Sequence, residues 1–274
     1  MSKAASAQNL RVAIAGLGAV GLELARRLDR GLPGFTLAAI SARDREGAAR
    51  KLEGLSKRVP VVPIEGLEAH ADVVIECAPA ALLSKIVEPF VAAGKTAIVL
   101  SVGALLANEH LIETARRHGG RIVVPSGALL GLDAVSAAAE GNIRSVRMIT
   151  RKPVRGLVGA PYLDEHGIRI EGITEPLRVF SGTAREAGAG FPANLNVVVA
   201  LALAGIGPDR TTIEIWADPQ LTRNTHRIEV DSDSASFTMS IENIPSDNPK
   251  TGRITALSVM ACLRKMTAPL RVGT

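Results

Sequence analysis

The feature that most restricts the fold is the glycine-rich segment Gly16-Leu17-Gly18-Ala19-Val20-Gly21, which has the pattern G-x-G-x-x-G. It follows the apolar run 11–15 and precedes a helical pattern in which Val20, Leu24 and Leu28 recur every four residues. A strand, a tight glycine turn and a helix in this order begin a βαβ unit whose helix N-terminus holds the pyrophosphate of a dinucleotide. The alternative is a plain strand–turn–helix with incidental glycines, and the flanking elements favour the dinucleotide site.

Each residue of this turn has a distinct expected role. Gly16 permits the tight turn, Gly18 lets the backbone approach the pyrophosphate, and Gly21 allows the helix to pack closely on the strand. The N–H groups of Ala19 and Val20 lie in the first helical turn, where the helix dipole favours phosphate oxygens. The sequence therefore predicts that all five residues contact a cofactor.

The first half of the chain alternates apolar strands with helical patterns. The predicted strands are 11–15, 37–40, 71–77, 96–100 and 121–124, and the predicted helices between them include 45–54, 81–93 and 107–118. Fully apolar strands separated by helices indicate a parallel sheet covered on both faces. This predicts an α/β fold in which residues 1–125 form a doubly wound, dinucleotide-binding Rossmann domain.

After about residue 140 the pattern changes to alternation of apolar and polar residues. The predicted strands are 145–150, 211–217, 226–230 and 235–241, with helices at 193–204 and 252–266. This pattern predicts a mainly antiparallel sheet in an α+β domain, residues 126–249, whose polar face we expect to form a homodimer. We expect residues 250–274 to return as a C-terminal helix to the first domain.

Composition excludes several classes of function. The chain has only five Phe, one Tyr and one Trp, too few for the stacking platforms that bind single-stranded nucleic acid. Its net charge of +5 includes no Lys/Arg block, which favours a small anionic ligand over nucleic acid.

Cys77 and Cys262 lack the spacing of a disulfide framework or a metal site, so we predict no metal and a reducing, cytoplasmic location. The apolar run 197–206 is shorter than the roughly 20 residues of a membrane-spanning helix.

The end of the second predicted strand decides between NAD and NADP. NAD-selective sites place Asp or Glu there to accept from the ribose 2′-hydroxyl. This chain has Ser41 and Arg43, which can donate to a 2′-phosphate, followed by Asp44. NADP is favoured, although both cofactors can bind, and the alternative is that Arg43 is a solvated loop residue. The small residues of loop 77–81, including Ala78, fit a crevice where the cofactor lies against backbone.

Five segments resemble a known family. They are RVAIAGLGAVG, VVPSGALLGLDA, FPANLNV, TRNTHRIEV and ENIPSDNPKTG, in this order. Together they resemble L-aspartate dehydrogenase from about residue 11 to residue 265. The resemblance implies a Rossmann domain, a substrate domain and NAD(P)-dependent oxidative deamination of L-aspartate. The product would be iminoaspartate, which hydrolyses to oxaloacetate and ammonia or supplies NAD biosynthesis.

The resemblance also implies site residues. The histidine of the family's N-x-H segment acts in catalysis and corresponds to His226 here. Cofactor contacts of the family correspond to Ala128 and to an asparagine of PANLN, for which we take Asn194 first and Asn196 second. One departure concerns cofactor choice, because many relatives have the acidic residue earlier than Asp44, which leaves NAD selectivity open.

His226 differs from the other four histidines, which lie on helical or loop segments. It shares a strand face with Ile228 and Val230 and should therefore point toward an apolar region. A lone histidine in such a place is most often a packed core residue, but the resemblance favours catalysis. Oxidation of an amine requires the ammonium to lose a proton, and an imidazole that titrates near neutrality suits that task.

A substrate with two carboxylates needs cations to hold it. The candidates are Arg151, Lys152, Arg155, Arg223 and Lys250, each of which also has the alternative of a solvated surface residue. We predict Lys250 and Thr251 as substrate-binding, because they lie just before the final helix, whose N-terminus adds N–H donors. Two other functions remain open. One is a dihydrodipicolinate-reductase-like or homoserine-dehydrogenase-like oxidoreductase, and the other is a non-catalytic NADPH-binding sensor.

Overall fold

The computed structural model describes residues 9–191, 195–245 and 252–274. Contacts along the chain divide it into two compact units. The first comprises residues up to Pro125 together with Val259–Arg271, and the second comprises Ser126–Ser258 with Val272–Thr274. No helix among the described residues is long and apolar enough to cross a membrane.

The first unit contains a five-stranded parallel sheet. Its strands are β1 Leu10–Ala15, β2 Phe35–Ser41, β3 Val73–Glu76, β4 Thr96–Val99 and β5 Arg121–Val123. Its helices are α1 Ala19–Asp29, α2 Arg45–Leu52, α3 Leu67–His70, α4 Leu83–Ala92 and α5 His110–His118, with 3-10 turns at Ile64–Gly66, Ala80–Leu82 and Val102–Ala107. The strand order is β2-β1-β3-β4-β5. Because β2 and β3 pair on opposite sides of β1, the loop after β1 lies at the switch point where doubly wound sheets bind ligands.

The core of the first unit follows from the apolar runs in the sequence. Residues Val12–Ala15 of β1 have no solvent exposure, and β3 and β4 are almost as deeply buried. The amphipathic helix α4 contributes Leu83, Ile86 and Phe90 to this core. Burial on both faces explains why these strands carry no polar alternation.

The second unit contains a mixed, mostly antiparallel sheet. Its strands are β6 Ile143–Lys152, β7 Leu177–Thr183, β8 Thr211–Ala217, β9 Asn224–Ser232 and β10 Ser236–Asn243. Its helices are α6 Leu132–Ala139, α7 Pro161–Glu165, α8 Ala184–Gly190 and α9 Asn196–Ala204, with a 3-10 turn at Val154–Gly156. The last helix, α10 Ile254–Thr267, begins in this unit and continues into the first. The strand order is β10-β9-β6-β8-β7, and β6 and β8 are parallel whereas the other pairs are antiparallel.

The two faces of the second sheet differ in character. One face, which we call the inner face, carries the buried residues Val146, Met148, Ile213, Ile215, Ile228 and Val230. Helix α9 is apolar along its length and packs against β8 of this sheet. The opposite face, which we call the outer face, carries ion pairs such as Arg147 with Glu214. The predicted fold class is thus confirmed: a parallel Rossmann sheet accompanies a mainly antiparallel second sheet.

Candidate functional site

The glycine turn after β1 has the backbone geometry that a dinucleotide requires. Gly16 has φ +101°, and a Cβ atom there would lie 2.6 Å from the carbonyl oxygen of Cys77. A Cβ atom on Gly21 would overlap the carbonyl oxygen of Gly16. A Cβ atom on Gly18, by contrast, would meet nothing within 4 Å. Gly16 and Gly21 are therefore required by the protein itself, whereas the space beside Gly18 is open for a ligand.

Helix α1 presents its N-terminus at this open space. Gly18 is the N-cap and supplies no side chain to the cap, and the first turn contains no acidic residue. The N–H of Leu22 donates to the carbonyl of Gly18 at 2.9 Å, so the N–H groups of Ala19 and Val20 precede the first intrahelical bond. These two groups fit a pyrophosphate oxygen, as the sequence predicts.

A cavity of about 690 Å³ in the first unit joins the glycine turn to the ends of β2 and β3. This volume is within the range of roughly 300–1,000 Å³ that small-molecule and cofactor sites occupy. Five of the predicted cofactor residues line it: Gly16, Gly18, Ser41, Arg43 and Ala78. The geometry therefore fits a dinucleotide, with the pyrophosphate at the glycine turn.

The end of β2 contributes positive charge to this cavity. Ser41 is buried at the strand end, and Arg43, Arg45 and Lys51 also line the cavity. The sequence reasoning missed Arg45, the first residue of α2, and Lys51, in its last turn, and only their recurrence with Arg43 within the segment 43–51 could have indicated them. Three cations at this place favour an anionic group such as a 2′-phosphate.

The two acids of the cavity wall have other partners. Asp44 is the N-cap of α2, and its Oδ1 accepts from the N–H of Gly47 at 2.9 Å. Glu65 pairs with Lys85. The carboxylate of Asp44 is thus engaged in a helix cap, which competes with binding a ribose diol.

Glu76, at the end of β3, supports the loop after β3, which forms part of the cavity wall. Its side chain is fully buried and accepts from the N–H of Ala78 at 3.0 Å, from the N–H of Leu100 at 3.2 Å, and from the N–H and Oγ of Ser101 at 2.8 and 3.0 Å. Burial raises the pKa of this carboxyl, and the hydrogen bonds oppose the shift. One carboxylate therefore ties the loop after β3 to the loop after β4.

His226 lies on the inner face of the second sheet, as the sequence predicts. It is opposite Thr150 of β6 and Ile241 of β10, and it is only 3% exposed. Its Nδ1 lies 3.1 Å from Oγ1 of Thr150. Burial, with a smaller contribution from the charge of Lys152, lowers the pKa of His226 from 6.5 to about 3. The expectation of a histidine that titrates near neutrality is therefore not met, because the surroundings disfavour the imidazolium.

The other candidate residues have different surroundings. His70, His110, His118 and His166 are exposed. Arg151 lies on the outer face with its guanidinium 5.0 Å from the ring centre of Trp216, and Arg155 and Arg223 are exposed. Lys152, in contrast, is 5% exposed. One sequence signal could have distinguished Lys152 from the other candidate cations. Thr150 and Lys152 are polar and lie two residues apart, on a strand face that is otherwise apolar.

Some predicted contacts lie outside the described residues, namely Asn194, Lys250 and Thr251. Asn196 is the first residue of α9 and is exposed. The carbonyl of Ala128 accepts from Nδ2 of Asn243 at 2.9 Å within the second unit. The roles of these residues toward a cofactor or substrate stay predictions. Among residues 9–191, 195–245 and 252–274, no group of three His, Cys, Asp or Glu residues is placed to hold a metal ion.

The comparisons with known proteins agree with this geometry. Residues 16–125 match the family described as homoserine dehydrogenase, NAD binding domain, and residues 133–266 match the family described as aspartate dehydrogenase, C-terminal. L-Aspartate dehydrogenase of Bradyrhizobium diazoefficiens is 58% identical over 100% of this chain and 98% of its own length. L-Aspartate dehydrogenase 3 of Bordetella bronchiseptica is 60% identical over 98% of this chain and 99% of its own.

A solved structure shows the same fold. The crystal structure of aspartate dehydrogenase from Thermotoga maritima superposes with a TM-score of 0.72, covers 97% of this chain and 100% of its own, and is 24% identical in sequence. At that identity the likeness concerns the fold, whereas the two bacterial relatives match along their whole length at more than half of all positions. The chain therefore belongs to the L-aspartate dehydrogenase family.

Proposed function

We propose that the protein is an NAD(P)-dependent L-aspartate dehydrogenase, which oxidises the Cα–amine bond of L-aspartate to an imine. The observation that carries this proposal is the buried, neutral imidazole of His226, held at Thr150 in a chain of this family. A bound nicotinamide would supply the acceptor for the hydride that leaves Cα. The product iminoaspartate takes up water and yields oxaloacetate and ammonia.

His226 accepts a proton from the substrate in this scheme. The amine must lose a proton before its nitrogen lone pair can form the C=N bond. The imidazole is neutral because burial disfavours its charged form. In the tautomer whose Nδ1–H donates to Oγ1 of Thr150, Nε2 is the nitrogen that receives this proton.

We further propose a division of labour along the chain. Residues 1–125, with the C-terminal helix in 250–274, bind the cofactor, and residues 126–249 bind the substrate. Ser41 and Arg43 hold the 2′-phosphate of NADP, assisted by Arg45 and Lys51, so NADP(H) binds at least as well as NAD(H). The engagement of Asp44 in the cap of α2 supports this preference.

We also propose that the chain forms a homodimer through the outer face of the second sheet. This face is charged and self-complementary in composition, with Arg147 between Glu214 and Glu229 and with Arg227 paired to Glu229. A two-fold interface brings the same patch of both copies together, so alternating Arg and Glu suit it. The free thiols of Cys77 and Cys262 support a reducing, cytoplasmic location.

A panel of amino acids assayed with NAD and NADP tests the activity. We expect L-aspartate to be oxidised and homoserine to be inert, whereas cofactor binding without turnover of any amino acid would favour a sensor. His226→Ala and His226→Asn should each lower turnover per folded molecule by about 10²–10⁴-fold, the usual range for a lost general acid or base. Exposed His118 provides the matched control, because His118→Ala should keep wild-type turnover. Near-normal turnover in His226→Ala would remove His226 from the mechanism.

A further inference from the structure

Asn224 lies on the inner face of the second sheet, two residues before His226 on β9. Strand residues two positions apart share a face, so the amide of Asn224 and the imidazole of His226 stand side by side. Their Cα atoms are separated by about 6.6 Å, which is twice the rise per residue of a strand. The neighbour of the proposed proton acceptor is therefore an amide, a group that both donates and accepts hydrogen bonds without titrating.

The residue opposite Asn224 is a second asparagine, and the two differ in their partners. Asn243 of β10 is directly opposite Asn224, is 4% exposed, and donates from Nδ2 to the carbonyl of Ala128 at 2.9 Å. Asn224 is half-buried, and within the described part of the chain its side chain makes no hydrogen bond. The protein thus uses the amide of Asn243 for its own structure and leaves the amide of Asn224 available to a ligand.

The surroundings of Asn224 leave one side of its amide uncovered. A Cβ atom on Gly156 would contact Oδ1 of Asn224 at 3.8 Å, an ordinary van der Waals distance. Because glycine lacks that atom, the 3-10 turn at Val154–Gly156 does not close over the amide there. The half-buried state of Asn224 agrees with this opening.

The substrate of the proposed reaction determines which group the amide meets. L-Aspartate carries one ammonium and two carboxylates, and His226 takes its proton from the ammonium in the proposed function. The groups left for the neighbour of His226 are therefore carboxylates. The α-carboxylate is attached to the carbon that bears the amine, whereas the side-chain carboxylate is one carbon further away and reaches a residue two positions along the strand. Nδ2 of an asparagine donates to carboxylate oxygens, and a hydrogen bond to an ionised acceptor is a strong one.

We propose that Asn224 binds the side-chain carboxylate of L-aspartate and thereby selects a four-carbon dicarboxylate substrate. This inference rests on the proposed function, since His226 sets the position of the amine. The bond change takes place at Cα, whereas Asn224 contacts the group that distinguishes aspartate from alanine. Asn224 is thus a specificity-determining residue next to the proton acceptor.

Calorimetric titration of the protein saturated with NADPH tests this role with two probes. Succinate has two carboxylates, and butyrate has the same carbon chain with only one. We expect Asn224→Ala to weaken succinate binding by about 10- to 100-fold, as for a lost hydrogen bond to a charged group, and to leave butyrate binding unchanged. Asn142→Ala is the matched control, because Asn142 is an exposed asparagine just before β6, at the other end of the same sheet.

Asn224→Asp distinguishes a carboxylate partner from an ammonium partner. Aspartate has the shape of asparagine but presents only acceptor oxygens and a negative charge. Repulsion should therefore weaken succinate binding more in Asn224→Asp than in Asn224→Ala, and the KM for L-aspartate should rise in the same order. A KM below that of the wild type in Asn224→Asp would show that residue 224 faces the ammonium and would overturn the inference.

Thermal unfolding separates recognition from a structural role. The Tm of Asn224→Ala should stay at the wild-type value, because no hydrogen bond within the described residues is lost with the amide. A lowered Tm with equal losses for succinate and butyrate would instead mean that Asn224 supports the strand, and it would overturn the assignment. Asn224→Asp keeps the native shape and keeps the test valid if Asn224→Ala fails to fold.

The outcomes distinguish this inference from the proposed function. If the wild type oxidises no L-aspartate but its succinate binding depends on Asn224, the proposed function fails and the carboxylate site stands. If L-aspartate is oxidised and Asn224→Ala keeps the wild-type KM and succinate affinity, the inference is overturned and the function stands. A wild type that binds no succinate also overturns the inference.

Discussion

Oγ1 of Thr150 lies 3.1 Å from Nδ1 of His226, across two strands in which these residues are directly opposite each other. The hydroxyl orients the ring by a hydrogen bond to Nδ1, in which it accepts or donates according to the tautomer. Because both residues are almost completely buried, water is a poor substitute for this bond. The relationship gives Thr150 a positioning role that the residue type alone does not reveal.

Replacing Thr150 tests this role. Thr150→Val keeps the branched shape and removes the hydroxyl, so we expect kcat to fall roughly tenfold, as for one lost buried hydrogen bond. The KM for L-aspartate and the affinity for NADPH should change little, because neither ligand depends on the hydroxyl. Thr150→Ser restores the hydroxyl and should recover most of kcat. An equal loss in both variants would show that packing, and not the hydrogen bond, matters.

His226 should make the protein sensitive to acid. Its pKa is lowered to about 3 in the folded state, whereas an unfolded chain has a histidine near 6.5. Between these values the unfolded state binds one more proton, so the free energy of unfolding falls as the pH falls. The slope is about 1.4 kcal/mol per pH unit, which amounts to roughly 2 kcal/mol between about pH 6.5 and about pH 5.

Denaturant unfolding at several pH values measures this effect. His226→Asn lacks the titrating group, so its free energy of unfolding should fall less steeply over the same range. Both proteins share all carboxylates and the other four histidines. The difference between their slopes of unfolding free energy against pH therefore reports the contribution of His226 alone. Parallel slopes in the wild type and the variant would contradict the low pKa.

The glycine turn predicts two different outcomes for two similar substitutions. Gly18 has φ −76° and open space beside it, so Gly18→Val should fold with an unchanged Tm and yet lose dinucleotide binding, because its side chain occupies the pyrophosphate site. Gly21→Ala should instead lower the free energy of unfolding by about 1–3 kcal/mol, because its Cβ atom overlaps backbone. Thermal unfolding and NADPH fluorescence distinguish the two, and retained NADPH affinity in Gly18→Val would place the phosphates elsewhere.

Arg43 should discriminate between the two cofactors. We expect Arg43→Ala to weaken NADP(H) binding by roughly 1–3 kcal/mol, the scale of a charge-assisted contact, and to leave NAD(H) binding unchanged. Arg50 is exposed on α2 and is not part of the cavity wall, so Arg50→Ala is the control. Parallel titrations with the two reduced cofactors give the comparison. Equal losses for both, or strong NAD selectivity in the wild type, would contradict the assignment of the 2′-phosphate.

The sequence predicts most of this fold, because apolar runs and alternation report burial directly. Strand β7 escapes prediction, since an irregularity in its pairing between Arg178 and Phe180 buries the adjacent residues Val179 and Phe180 and breaks the alternation. Helix α6 was not predicted either, because it is short and follows Gly131, whose φ is +66°. Alternation also cannot reveal that β6 and β8 are parallel, because it reports which residues share a face and not the direction of the neighbouring strand.

The candidate site is less predictable for a related reason. His226 is evident from its strand face and its motif, whereas Lys152 resembles four other cations until strand register places it beside the imidazole. The pKa of His226 depends on what surrounds the ring, and that surrounding is formed by residues distant in sequence, such as Thr150 and Ile241. Residue type and spacing therefore predict neither the proximity of Lys152 to His226 nor the lowered pKa of His226.

The four hydrogen bonds to Glu76 have a thermodynamic consequence for ligand binding. They fix the backbone at Ala78 and at Leu100–Ser101 through contacts within the protein itself. The conformational entropy of these loops is therefore lost when the chain folds, and a dinucleotide that arrives later does not have to order them again. Loosening this carboxylate would transfer that entropy loss from folding to binding, so affinity would fall even though no atom in contact with the cofactor had changed.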